Sequence, residues 1–554
     1  TTTRAPLKMS DEIDERETAA LRASPREDAL SDDDASDVDA AVAARFCEHF
    51  SPAAGPRRAL STQAPTLMME EERKDFSETE CALIAHTVAD NAPVYLNVGA
   101  PFCLVAMGVQ GAGKSHTTAA VLESCVLPLP PPMHSIVRLF KPMAALVFHY
   151  DQCETNLCEA TGLLYRSPLL EKILSPASDA DADADAGASA SVPPSAIPLA
   201  GIGCLAKIVV LVSPTFYTQR KEWYDKEDRY EVLPMLFEWQ SLQATQLKKL
   251  MRLDSDSKQL YVSTMLAILK KYQRLNEVPT FPVFEKEVME ACSINGQSGP
   301  LEQRFNILRD FIAESAANQT LCEEHGVGAF KLRDHVRSGC VIVADFTDPM
   351  MTPEDANGVF HVLLETFRQI KIDGGCGKIV VCDEAHKYLG KEGGGRAAAP
   401  MGLAREIVDA ARMMRHDALR IVVSTQSPLT MPSELLELAS VAVLHKFQSP
   451  AWYKHIASCV ALPKLIVRES ESESDSDSDS DSCFDDGDGR RRRRSRVKSL
   501  SCFQKIIKLT PGEAVLCTRD GKRLDVQVRP RLTKDRGGTR LNSHGGASSA
   551  RGKK

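Results

Sequence analysis

Gly108-Val109-Gln110-Gly111-Ala112-Gly113-Lys114-Ser115 places glycines, a lysine and a hydroxyl in the spacing G-x-x-x-x-G-K-[ST]. Glycines let backbone N–H groups wrap phosphates, the lysine reaches the β- and γ-phosphates, and the hydroxyl holds Mg2+ at the positive end of a helix. The pattern assigns Gly108, Val109, Gln110, Gly111, Ala112, Gly113, Lys114, Ser115 and the adjoining His116 to nucleotide binding, with Ser115 also on the metal. A second chemically capable group is Asp383-Glu384-Ala385-His386. Beside a phosphate loop, Asp383 supports Mg2+ and Glu384 is placed to polarise an attacking water, which points to hydrolysis rather than binding alone. Gln426 either senses the γ-phosphate or its water, or simply makes a turn. Arg412 and Arg415 either reach a neighbouring subunit's nucleotide as an arginine finger or form a solvated basic helix face.

These side chains need strands and helices to hold them. Residues 102–107 form an apolar run and 117–126 have helical composition, so the phosphate loop sits between a strand and a helix. Residues 378–382 read as a buried strand ending in Asp383, 403–416 as a helix, and 420–425 as a strand ending in Gln426. Residues 434–447 repeat helix then strand, and a strand returns near 512–517. Further core strands are expected at 144–150, 207–212 and 340–345, with a helix over 353–370. Helical apolar spacing at 242–251, 260–275, 284–292 and 305–315 predicts a helical subdomain packed on the sheet. Asp151 and Asp345 each follow or end a strand and either face the ligand crevice of an open α/β sheet or cap a turn.

The letters Asp-Glu-Ala-His also spell the signature of a helicase class built from two RecA-like lobes. About 170 residues remain after Asp383, and none carries the second lobe's motif of glutamine, glycines and arginines. That reading is set aside. The loop GVQGAGKS, the strand KIVVCDEAH, the helix EIVDAARMMRH and the strand RIVVSTQSP together resemble the HerA–FtsK superfamily of hexameric, RecA-like DNA-pumping ATPases. VFHYDQCETN, LVSPTFYTQRKEWY and LLELASVAVLHKFQSPAWYKHI are similar to uncharacterised HerA-like ATPases in fungal genomes. The resemblance spans residues 101–452 with a large gap, and the strand near 512–517.

It implies an α/β, RecA-like core of the additional-strand, catalytic-glutamate type, with a parallel sheet flanked by helices. By the same resemblance Lys114 and Ser115 take phosphate and Mg2+, Asp383 supports Mg2+, and Glu384 is the catalytic base. Gln426 is then the sensor and Arg415 the finger. Implied partners are ATP, further copies of the chain in a homo-oligomer such as a hexamer, and DNA. Adenine over guanine follows from the resemblance and from the lack of an N-K-x-D motif. The amino-terminal β-barrel of HerA proteins and the membrane helices and winged helix of FtsK proteins find no counterpart in the sequence, so the resemblance supports the motor core better than the DNA substrate.

Composition fits a large globular core: 554 residues, 43% hydrophobic and 26% charged. No apolar run has bilayer-spanning length, and the first residues lack a signal core, which predicts a cytoplasmic or nuclear protein without membrane contact. Sixteen cysteines without a C-x-x-C pair read as reduced thiols with no zinc site. The net charge of −8 argues against a uniformly DNA-coating surface, although a pore lined locally by Lys387, Lys391 and Arg396 is compatible with it.

Composition shifts divide the chain. Residues 1–75 are acidic and expected to be disordered, 76–174 carry the phosphate loop, and 175–200 form an Asp/Ala-rich insertion. Residues 201–335 hold a core strand and the helical subdomain, 336–467 the acidic strand, sensor and arginines, and 468–499 an insertion that turns from acidic to basic at Arg490. Residues 500–528 return strands to the core, and 529–554 form a basic tail expected to be disordered. Long insertions of this kind cost only about 0.6 kcal/mol per doubling of length. Two functions stay open: an oligomeric ATPase motor on nucleic acid, or a nucleotide-dependent switch or scaffold acting on protein partners through the helical region.

Overall fold

The computed structural model describes residues 64–130, 133–174, 203–224, 229–253, 260–275, 277–292, 298–372, 374–390, 402–462 and 502–536. The expected insertions at 175–200 and 468–499, Lys391, Arg396 and the Arg490 cluster lie outside them, as does most of 1–75.

The described strands are β1 (Leu67–Met69), β2 (Cys81–Thr87), β3 (Pro93–Asn97), β4 (Cys103–Met107), β5 (Val137–Arg138), β6 (Ala144–Asp151), β7 (Ile208–Val212), β8 (Tyr230–Pro234), β9 (Val341–Thr347), β10 (Lys378–Cys382), β11 (Leu419–Thr425), β12 (Val441–Leu444), β13 (Glu513–Thr518) and β14 (Arg523–Val528). They form one sheet in the order β1-β3-β2-β14-β13-β12-β4-β11-β10-β6-β9-β7-β8, with β5 pairing β2. From β12 to β8 every neighbouring pair is parallel. β11 stands between the phosphate-loop strand β4 and the acidic strand β10. That inserted strand is the additional strand of the expected RecA-like core, and the fold is α/β as read from sequence.

Strands covered on both faces read as unbroken apolar runs. Every residue of β4 and β10 is buried. Along β4 the faces alternate: Cys103, Val105 and Met107 enter one core, Leu104 and Ala106 the other. The helix Lys114–Val126 covers the second face through Val121, Leu122 and Cys125. The helices Pro353–Gln369 and Gly402–Met413 cover the first, through Phe360, Phe367 and Ile407. Pro353 opens its helix at the first turn, and Thr352 and Asp355 cap it reciprocally, each side chain bonding the other's backbone N–H at 3.2 Å.

Between β8 and β9, where helical apolar spacing was expected, the chain forms the helices Ala244–Leu250, Leu260–Leu275, Phe281–Ala291, Ser298–Phe311 and Ala316–His325. Trp239, Phe281, Phe284 and Phe305 meet at ring-centroid distances of 5.1–6.5 Å and join the core of the sheet's first face. No described helix is long and apolar enough to cross a membrane.

Three expectations need correction. The sheet is mixed: β13 adds antiparallel to β12, and β14, β2, β3 and β1 continue antiparallel beyond it. β1 is only three residues long and β2 carries an irregularity between Leu83 and Ala85, so neither shows a clean period of two. Structure also starts inside the segment expected to be disordered, since β1 precedes residue 75. Finally, 529–536 are not a free basic tail: Arg529, Arg531 and Thr533 are buried against the phosphate-loop helix.

Candidate nucleotide site

The phosphate loop leaves the end of β4 and closes on the helix Lys114–Val126. Gly111 (φ 72°) and Gly113 (φ 105°) both take left-handed backbone, which a side chain would strain. Gly113 faces a second constraint, because a Cβ there would lie 3.0 Å from the backbone nitrogen of Gly512. The loop is held from the side by Val109, whose N–H donates to the Lys446 carbonyl at 3.0 Å. Lys114 Nζ donates back to the Val109 carbonyl at 2.9 Å. Burial lowers the Lys114 pKa, and the charges of Glu384 and Asp383 work against that shift. One lysine therefore faces two carboxylates across the loop.

Those carboxylates come from the end of β10. Asp383 is buried and receives a 3.1 Å contact from Nδ1 of His149, on the neighbouring strand β6. Glu384 takes left-handed backbone (φ 46°), unusual for a residue with a side chain, and the turn aims its carboxylate toward β11. There Gln426 Nε2 donates to Glu384 Oε2 at 2.7 Å. His386 Nδ1 stands 3.4 Å from the same oxygen. Burial is the main cause that holds His386 below the usual histidine range, so it faces Glu384 as a neutral ring. Ser115 and Asp383 border one small cavity. A hydroxyl and a carboxylate make an oxygen donor set, which suits Mg2+.

The other expected residues divide. His116 turns away from the loop, its Nε2 2.8 Å from the Arg529 carbonyl. Arg412 pairs with Asp409 at 2.6 Å and with Glu434. Arg415 is exposed in the turn before β11, at the sheet edge where parallel strands begin, whereas the phosphate loop is at the edge where they end. Lys387, one candidate for lining a pore, is bound to Asp151 at 2.7 Å. Asp345 does not face the crevice: it is fully buried and paired with Arg220 at 2.6 Å. Burial there, the largest single effect, favours the neutral acid, but Arg220, His149 and the hydroxyls of Thr347 and Tyr224 together keep the Asp345 pKa low.

His445 escaped the sequence reading, which took 441–447 only as a strand. Its ring lies under the loop, 3.0 Å from Thr117 Oγ1 and 3.1 Å from the Glu513 carbonyl, and its Cβ would meet a side chain at Gly108. Burial pulls its pKa down to about 4. As pH falls, the unfolded chain takes up this proton first, near pH 6.5, so stability is lost between about pH 6.5 and 4. The loss at pH 5 is about 2 kcal/mol. His445→Asn should flatten this dependence, read as the difference between urea midpoints at pH 7 and pH 5.

No protein-family model matches the sequence, and a search of curated proteins returns no match. Among solved structures, VirB4 of Thermoanaerobacter pseudethanolicus is similar at 11% identity and TM-score 0.38, over 81% of this chain and 96% of that one. The plasmid coupling protein TrwB, in complex with a non-hydrolysable GTP analogue, is similar at 10% identity and TM-score 0.39, over 78% and 87%. The genome packaging NTPase B204 of Sulfolobus turreted icosahedral virus 2, in complex with ATP-gammaS, is similar at 14% identity and TM-score 0.22, over 37% and 74%. The functional reading rests on this chain's own side chains.

Proposed function

We propose that this protein binds and hydrolyses ATP with Mg2+ and works as an oligomeric motor on nucleic acid. The observation that carries the hydrolytic part is the 2.7 Å contact between Glu384 and Gln426 beside the phosphate loop. In this reading the loop N–H groups and Lys114 take the phosphates, and Ser115 and Asp383 hold the ion. The ion, when bound, neutralises developing phosphate charge. Glu384 accepts the proton of the attacking water while Gln426 fixes the carboxylate and, on turnover, the water. Arg415 lies too far around the sheet edge to serve its own subunit, so its role as a finger belongs to a neighbouring copy. Nucleic acid as substrate is supported by the motif resemblance to DNA-pumping ATPases.

The second reading, a nucleotide-dependent switch on protein partners, is supported by a groove of about 590 Å3 between the helical subdomain and the helices Pro353–Gln369 and Gly402–Met413. Turnover of ATP with and without double-stranded DNA, across a salt series, separates the two. A motor shows DNA-stimulated turnover that declines steeply with salt. Turnover indifferent to DNA at every salt concentration would sink the nucleic-acid reading and favour the switch.

A further inference from the structure

Behind the nucleotide site three donor side chains meet from three separate elements. His149 is on β6, Asp383 follows β10, and Cys158 precedes the short helix Glu159–Leu164. A ring nitrogen of His149, the Cys158 sulfur and a carboxylate oxygen of Asp383 all lie within 4.8 Å of one another. All three side chains are buried. The cysteine spacing rule that argued against zinc could not detect this set, because its members come from distant parts of the chain.

Two independent observations mark the cluster as more than core packing. His149 spends Nδ1 on Asp383 and leaves Nε2 with no hydrogen-bond partner, although the residue is only 2% exposed. A buried polar atom left in that state costs about 1–3 kcal/mol. A cavity of about 20 Å3 borders Cys158, Asp383, Ser115 and Thr118, and the Thr118 hydroxyl also lacks a partner. That volume admits one water, a fourth donor.

We propose that His149, Cys158 and Asp383 bind a borderline-soft divalent cation of the zinc class, and that its binding withdraws Asp383 from ATP hydrolysis. The second half rests on the hydrolytic role given to Asp383 above. Imidazole, thiolate and carboxylate are the ligands zinc selects, at about 2.0–2.3 Å. Tetrahedral ligands at those lengths stand about 3.3–3.8 Å apart, so the widest pair must close by about 1 Å. As the sulfur–metal bond forms, the thiol proton passes to solvent. Mg2+ competes poorly for a site containing sulfur and imidazole, whereas zinc competes well. Turnover is thereby sensitive to free zinc while magnesium is in excess.

The test loads the metal-free full chain with Co2+, an optical stand-in for zinc. About one equivalent should bind with a thiolate-to-cobalt charge-transfer absorption. Cys158→Ser should lose that absorption and weaken binding by at least about tenfold, while Cys153→Ser, which alters an exposed thiol, keeps both. His149→Gln should weaken binding to a similar degree and supplies the readout if Cys158→Ser fails to fold. In Mg2+–ATP turnover, zinc should inhibit the wild type and require at least about tenfold higher concentration against Cys158→Ser, whose zinc-free rate stays within about twofold of wild type. Absorption that survives Cys158→Ser, or equal zinc sensitivity of both proteins, overturns the proposal. A Cys158-dependent cobalt spectrum in a protein with no turnover supports the site and overturns the hydrolytic role of Asp383 instead.

Discussion

Glu384→Gln should lower ATP turnover by about 10²- to 10⁴-fold while leaving nucleotide affinity within a few-fold of wild type. Glutamine keeps the volume and keeps an oxygen toward Gln426, now at 2.7 Å, but it cannot accept a proton from water. The left-handed turn at residue 384 is already strained in the wild type, so the exchange adds no new backbone cost. Binding relies on the phosphate loop and Lys114, which the substitution does not touch. Single-turnover hydrolysis and equilibrium binding of a fluorescent ATP analogue measure the two quantities separately. Loss of both together would mean that Glu384 holds the loop in shape; loss of neither would remove it from the chemistry.

The second large effect lies on the helix Lys114–Val126 that follows the phosphate loop. Glu123 is fully buried and accepts from Arg529 Nη1 at 3.0 Å, the backbone N–H groups of Leu532 and Thr533 at 3.0 and 2.9 Å, and Thr533 Oγ1 at 2.5 Å. Arg529 in turn donates to the Ala120 and Leu83 carbonyls at 2.9 and 2.8 Å, tying the helix to β2. Removing one member leaves the other's charge buried and unmatched, which costs about 3–5 kcal/mol. Glu123→Ala should therefore lower the chemical-denaturation midpoint strongly and loosen residues 529–533, seen as faster amide exchange there. Replacing both groups, Glu123→Leu with Arg529→Met, should recover only the part due to the unmatched charge, because the Leu532 and Thr533 N–H groups and the Thr533 hydroxyl lose their acceptor in either variant. Additive losses in the double variant would show that the two side chains stabilise the helix independently.

How far the sequence could be read depended on whether a residue's neighbours in space were also its neighbours in the chain. The phosphate loop and the end of β10 were legible because glycine spacing and buried apolar runs are local signals. The helices between β8 and β9 were legible too: their apolar spacing placed Leu260–Leu275 correctly and erred by several residues at Phe281 and Ser298. The returning strands at 512–528 were expected, but their antiparallel direction, and β1–β3 altogether, were missed because the pairing is fixed by partners hundreds of positions away, as in Val526 opposite Thr87. Residues 529–536 were misread for a related reason. Arginines beside glycines look solvated until Glu123, buried in a helix far upstream, is seen to receive them. In the site, Glu384 and Gln426 could be named from their strand ends, but His149 and His445 could not, since a lone histidine on an apolar strand carries no signal of what it touches.

The route of the sheet sets a timetable for synthesis. β1, β2 and β3 join the parallel strands only through β14 and β13, among the last described residues of the chain. A chain emerging from the ribosome at about 5–20 residues per second displays its phosphate loop long before those strands exist. Until they arrive, Gly512 cannot brace Gly113 and Arg529 cannot reach Glu123. A nascent chain thus carries every letter of the phosphate motif without the walls that shape it until residues 512–533 have been made.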